Sequence, residues 1–124
     1  MIDNIARIQQ TLQEIFQAHT PPLQLRQAGP GGMEFAGTIP TMQGKQKVDG
    51  IYFASIVPKP KDVRLYFFPI YTHASQFTGI SASLRKCLKG KSCFHIKALD
   101  DEMTRDIQDM VQTGVRLYQE DGIV

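Results

Sequence analysis

Both cysteines of the chain and one of its three histidines fall in a single stretch, RKCLKGKSCFHIK at 85–97, among Arg85, Lys86, Lys89, Lys91 and Lys97. Three chemistries suit such a set: soft-metal ligation by Cys87, Cys93 and His95, phosphate contact by the cations, and thiol attack by Cys93 beside His95. A closed zinc site takes four ligands, usually in pairs spaced by two to four residues. Here five residues separate the cysteines and no second pair exists, so His73 would have to be folded in as the fourth ligand. Two thiols packed near a helix end and on a strand are the simpler expectation.

Phosphate contact brings in Lys59 and Lys61 and the aromatic Tyr66 and Phe68 of DVRLYFFP, a combination used by surfaces that stack bases. That strand lacks the glycine and alternating aromatics of an RNA-recognition strand, and the chain has no KH-type GxxG loop, zinc finger or helix-turn-helix pattern. Nucleic acid is therefore not the expected partner. Catalysis finds no GxSxG elbow, P-loop, dinucleotide fingerprint or metallohydrolase histidine pair. Cys93 and His95, two apart on a strand, point the same way without being aimed at each other, so no enzyme is expected. Glu102, Asp106 and Asp109 share the polar side of a C-terminal helix, where exposed carboxylates would hold hard or borderline cations only weakly. Asp100, Asp101 and Glu102 suit the positive end of that helix.

The elements that must place these groups are legible from periodicity. After Asp3, an expected N-cap, Ile5, Ile8, Leu12, Ile15 and Phe16 recur at helical spacing until TPPL, and AGPGG at 28–32 reads as a loop. The period then becomes two: MEFAGTIP, KVDGIYFASIVP and VRLYFFP predict three sequential antiparallel strands joined through TMQGKQ and KPKD. Phe77, Ile80, Leu84 and Leu88 predict a short helix capped by Ser81 or Ser83 and ended by Gly90. SCFHIK supplies a fourth strand. Asp100 opens a long helix whose Met103, Ile107, Met110, Val111, Gly114, Leu117 and Tyr118 trace one face.

Strand parity sorts side chains to the two faces of the sheet. Val63, Leu65, Phe67, Phe94 and Ile96 fall on one side, under the amphipathic helices. Arg64, Tyr66, Phe68, Cys93, His95 and Lys97 fall on the other, joined by Tyr52 on one choice of parity. An uncovered face mixing aromatic and basic groups is a place to bind something, unless segment 70–89 or a second subunit covers it. Tyr71 and His73, in the loop after the third strand, are expected to line a pocket between the sheet and such a lid.

The chain has 124 residues, 42% apolar and 21% charged, the make-up of one α+β domain able to bury its own core. No apolar run approaches the roughly 20 residues that cross a bilayer, and MIDNIARIQQ lacks a signal-peptide pattern, so a cytoplasmic protein with reduced thiols is expected. The net charge of +2 hides an asymmetry: residues 1–99 carry twelve Lys/Arg against five Asp/Glu, and residues 100–124 two against seven. A body of one sign joined to a terminal segment of the other either pairs internally or presents two distinct surface potentials.

GTIPTMQGKQKVDGIYFAS, VRLYFFPIYTH and KGKSCFHIKALDDEMTRDIQDMVQTGVRLY resemble the corresponding parts of the YdhG-like domains, small bacterial α+β proteins. One branch of that family is described as frataxin-like, an intracellular iron chaperone for iron-sulfur cluster and haem assembly. Frataxins hold iron through acids on the first helix and the neighbouring strand edge, and the first helix here offers Asp3 and Glu14.

The expectation is thus a two-layer α+β sandwich in the order α-β-β-β-α-β-α, with a sheet of four or more antiparallel strands and both terminal helices on one face. Its expected function is that of a non-enzymatic module binding a small anionic ligand or a protein through Arg64, Tyr66, Phe68, Tyr71, His73, His95 and Lys97. The alternatives are iron delivery, with iron as cargo and no resident cofactor, and nucleic-acid binding; a homodimer closing over the sheet face is compatible with the first.

Overall fold

The computed structural model describes residues 1–124. Helix α1 (Ile5–Gln17) starts at Asn4, not Asp3: the Asn4 Oδ1 accepts a hydrogen bond from the Arg7 N–H at 3.2 Å. Strands β1 (Gln24–Gly29) and β2 (Gly32–Ala36) form a hairpin, and β3 (Thr41–Gln43) and β4 (Gln46–Val48) a second, separate one. Next come β5 (Tyr52–Pro58), β6 (Val63–Phe67), the short α2 (Pro69–Thr72), a 3-10 turn at Ala74–Phe77, α3 (Ala82–Cys87), β7 (Leu88–Lys89) and β8 (Cys93–Ile96). Helix α4 (Asp101–Glu120) closes the order, capped by Asp100 Oδ1 on the Met103 N–H at 2.8 Å.

The main sheet has six antiparallel strands in the order β1-β2-β5-β6-β8-β7, two beyond the four that periodicity located. The expected meander forms its centre. The additions flank it, and each lacks the signal that periodicity needs. After Gln24 every residue of β1 is exposed, so nothing alternates; β7 is only two residues long. TMQGKQ, expected to join two long strands, is folded into the β3–β4 hairpin with Gly44 at its turn (φ +61°).

One 26-residue cluster forms the core. Phe16 of α1 stacks on Phe35 at 5.3 Å and meets Phe53 and Phe67 edge-on. Tyr118 of α4 meets Phe53 edge-on at 5.6 Å, and Phe77 meets Phe67 likewise. The two long helices and the 3-10 turn therefore pack on the same side of the sheet, the side carrying Val63, Leu65, Phe67, Phe94 and Ile96, all fully buried. Close approach of α4 depends on Gly114, whose absent side chain leaves room for the rings of Phe53, Phe67 and Pro69. No helix is long and apolar enough to cross a membrane.

Strand β5 carries a bulge. Phe35 pairs with Ala54 and Ala36 with Tyr52, so Phe53 is an extra residue. Phe53 and Ala54 both enter the core, and Tyr52 is turned to the opposite face.

Candidate functional site: the open sheet face

With the helices on one side, the alternate residues of β2, β5, β6 and β8 are left on the other. Register sets them in rows. Glu34, Ser55, Tyr66 and Cys93 are successive partners across four strands, and Val57, Arg64 and His95 form the next row. All seven are partly exposed. Tyr52 reaches the first row from the far side of the bulge, its hydroxyl 2.7 Å from Ser55 Oγ. Lys97, one step past Ile96, is exposed at the end of β8.

The row containing Arg64 holds an electrostatic arrangement centred on Asp62, an acid only 7% exposed in the turn between β5 and β6. Asp62 Oδ1 stands 3.5 Å from Arg64 Nε and Asp62 Oδ2 stands 3.8 Å from His95 Nδ1. Neither contact is a hydrogen bond, and Asp62 Oδ1 and Arg64 Nε are each buried without a hydrogen-bonding partner. Buried polar atoms are nearly always paired, so this loose ion pair is an exception, and the rest of the Arg64 side chain is about a third exposed. Burial pushes the Cys93 thiol up, against the opposing pull of the Tyr66 hydrogen bond and the Arg64 charge. Burial likewise raises the Tyr52 phenol, against its hydrogen bond with Ser55.

At the other end of the face the aromatic groups form a ladder. Tyr52 and Phe68 have ring centroids 5.7 Å apart, and Phe68 stacks on Tyr71 at 5.8 Å. The Lys91 Nζ stands over the Tyr71 ring at 5.4 Å, a cation–π contact. Beyond the opposite edge, the β1–β2 hairpin borders a hollow of about 570 Å³ whose lining includes Glu34, Ser55 and Val57 of the face. There Arg26 is engaged, its Nε on Glu34 at 2.7 Å and its Nη1 donating to the Gly50 carbonyl at 3.0 Å.

His73 is placed elsewhere. Its Nε2 is 2.9 Å from Asp121 Oδ2 just beyond α4, its Nδ1 2.9 Å from Thr72 Oγ1, and that hydroxyl is 2.9 Å from the Tyr118 hydroxyl. An acid, an imidazole and a hydroxyl in line resemble a nucleophile relay. Here the Thr72 hydroxyl is already shared with the nearly buried Tyr118, so the chain acts as a structural tie between α2 and α4. Tyr118 is pushed up to about 12, by burial first. The loop 70–89 does not fold over the open face either, since Ile70, Phe77 and Leu84 enter the core.

Of the seven expected residues, Arg64, Tyr66, His95 and Phe68 share the face, Tyr71 stands at its aromatic end and Lys97 at the end of β8; His73 is apart. Sequence reasoning missed Asp62 and Ser55, and named Lys91 only among the cations of 85–97. Asp62 had one usable signal, an acid directly before a strand bearing Arg64 two residues on. Cys87 and Cys93 are free thiols, and no group of three or more His, Cys, Asp and Glu side chains comes together to hold a metal ion. No family model, curated protein or solved structure matches the chain.

Proposed function

We propose that the protein is a non-enzymatic binding module that takes a small anionic ligand with a planar portion on its open sheet face. The observation that carries this reading is the partly exposed Arg64 guanidinium, held to Asp62 only by a loose 3.5 Å contact and set among Tyr66, His95 and Val57 on a face that no helix covers. An anion reaching the guanidinium gains a charge-assisted hydrogen bond, and the phenol and phenyl rings offer flat apolar area to the rest of the molecule. Iron delivery fits the residues less well. Neither Asp3, just before the first helix, nor Glu14 on it belongs to a group of three or more acids, histidines and cysteines.

The test is mass spectrometry of small molecules released from protein purified directly from cells. Wild-type protein and the His73→Ala variant are expected to release the same anionic compound, because His73 lies off the face. Arg64→Gln and Tyr66→Ala are expected to lose it while keeping the wild-type circular dichroism spectrum. Equal release from all four proteins, or from none, overturns the reading.

A further inference from the structure

A second hollow, of about 370 Å³, lies between the segment 70–78 and the α3–β7 connection. Its apolar lining comes from Ile70, Phe77 and Leu88, residues tied into or packed against the core, and the Tyr71 ring forms a wall. Two cations, Arg85 and Lys91, stand in the same lining, and no acid does.

The charge around the hollow is lopsided beyond these two residues. From Val63 to Leu99 the sequence holds Arg64, Arg85, Lys86, Lys89, Lys91 and Lys97 and not one Asp or Glu. Away from the hollow, Asp62 stands beside Arg64 and His95 and Asp121 beside His73; the other acids that approach this region come from α4. Asp106 accepts the Ser81 N–H at 2.9 Å, and Asp106 and Asp109 line a separate, smaller hollow beside Gly79 and Ile80.

The two cations are held differently. Arg85 is pre-positioned, one Nη donating to the Phe77 carbonyl at 3.0 Å while the rest of the guanidinium carries no protein partner. Lys91 rests over Tyr71 without a carboxylate. An apolar floor, an aromatic wall and two uncompensated cations at one opening complement a molecule with one apolar end and one anionic end.

We propose that this cleft binds a small soluble amphipathic anion, an aryl or short acyl group bearing a single phosphate or carboxylate, with the apolar part on Phe77 and Leu88 and the anion between Arg85 and Lys91. The inference does not rest on the sheet-face reading, and the variants below separate the two sites.

The experiment is an amide-resolved NMR titration of the full chain with phenyl phosphate, with phenol and inorganic phosphate as the two half-ligands. Phenyl phosphate is expected to saturate shifts at Ala74, Thr78, Leu88 and Lys91 with a Kd of about 1 mM or tighter, an affinity within reach of a ligand of this size. Each half-ligand is expected to bind at least about tenfold more weakly, since each uses only half of the contacts. Lys91→Gln is expected to weaken phenyl phosphate about tenfold. Ala74→Phe, placed on an exposed position of the lining, is expected to abolish the shifts with the rest of the spectrum intact. Tyr66→Ala, on the sheet face, is expected to leave them unchanged. Shifts confined to the sheet face, no saturable shift, or equal binding of inorganic phosphate overturns the proposal.

Discussion

His73 and Asp121, 48 positions apart in sequence, meet at 2.9 Å and join the short helix after β6 to the end of the last helix. The His73 ring also lies 5.6 Å from the Tyr118 ring. Asp121 is nearly half exposed, so the ion pair itself is worth little, and the tie acts mainly by fixing where α4 ends. His73→Ala is expected to lower stability by about 1 kcal/mol. Urea unfolding reads that loss, and hydrogen exchange is expected to quicken at Asp121–Val124 before it quickens in the sheet.

Tyr118 sets the alkaline limit of the same tie. Its phenol is raised to about 12 in the folded protein, chiefly by burial, against about 10 in an unfolded chain. The folded state therefore holds this proton more tightly. Its contribution is complete below about pH 10 and is lost as pH rises towards 12, roughly 2 kcal/mol in all. Tyr118→Phe is expected to cost about 1 kcal/mol at neutral pH, for the lost Thr72 hydrogen bond, and to fall less steeply than wild type between pH 10 and 12. Parallel stability curves for the two proteins in that range would contradict the assignment.

Gly114 offers a packing test. A Cβ there would stand 3.0 Å from Phe67 Cζ and Pro69 Cγ and 3.1 Å from Phe53 Cζ, three rigid rings in a filled core. Alanine in mid-helix ordinarily gains about 1 kcal/mol over glycine, and overpacking costs about 1–3 kcal/mol. The net expectation for Gly114→Ala is a loss of about 1 kcal/mol, seen as a lower denaturation midpoint at unchanged urea dependence.

Cys93 reports on the sheet face. Because burial raises its thiol, little thiolate exists at neutral pH, and alkylation by iodoacetamide is expected to be several-fold slower than for a cysteine in an unstructured peptide. The Tyr66 hydrogen bond opposes that rise, so Tyr66→Phe is expected to slow the reaction further. Faster alkylation in that variant would mean that the phenol acts as a steric cover instead.

The centre of the fold was legible because its elements alternate cleanly: β6 reads buried, partly exposed, buried along its whole length, and α4 keeps its apolar residues on one face for twenty residues. Strand β1 was not legible because pairing through the backbone alone leaves no trace in side-chain hydrophobicity. The candidate site was legible to the extent that parity fixes it. Arg64, Tyr66 and His95 follow from counting by two along β6 and β8. His73 does not, since a loop residue is placed by whichever distant partner it meets, here Asp121. Asp62 was missed because acids beside lysines in a turn ordinarily face solvent, and only the fold reveals that this one is enclosed.

The extra residue in β5 gives the strand two different phases. Upstream of Phe53, even-numbered Tyr52 looks away from the helices; downstream, odd-numbered Ser55 and Val57 do. With the same residues and strict alternation, Tyr52 would share the phase of Ala54 and its hydroxyl would turn towards the hydrocarbon interior, where no Ser55 awaits it. The irregularity thus works as a splice between two reading registers of one strand, and the aromatic end of the outer surface exists only because the splice is there.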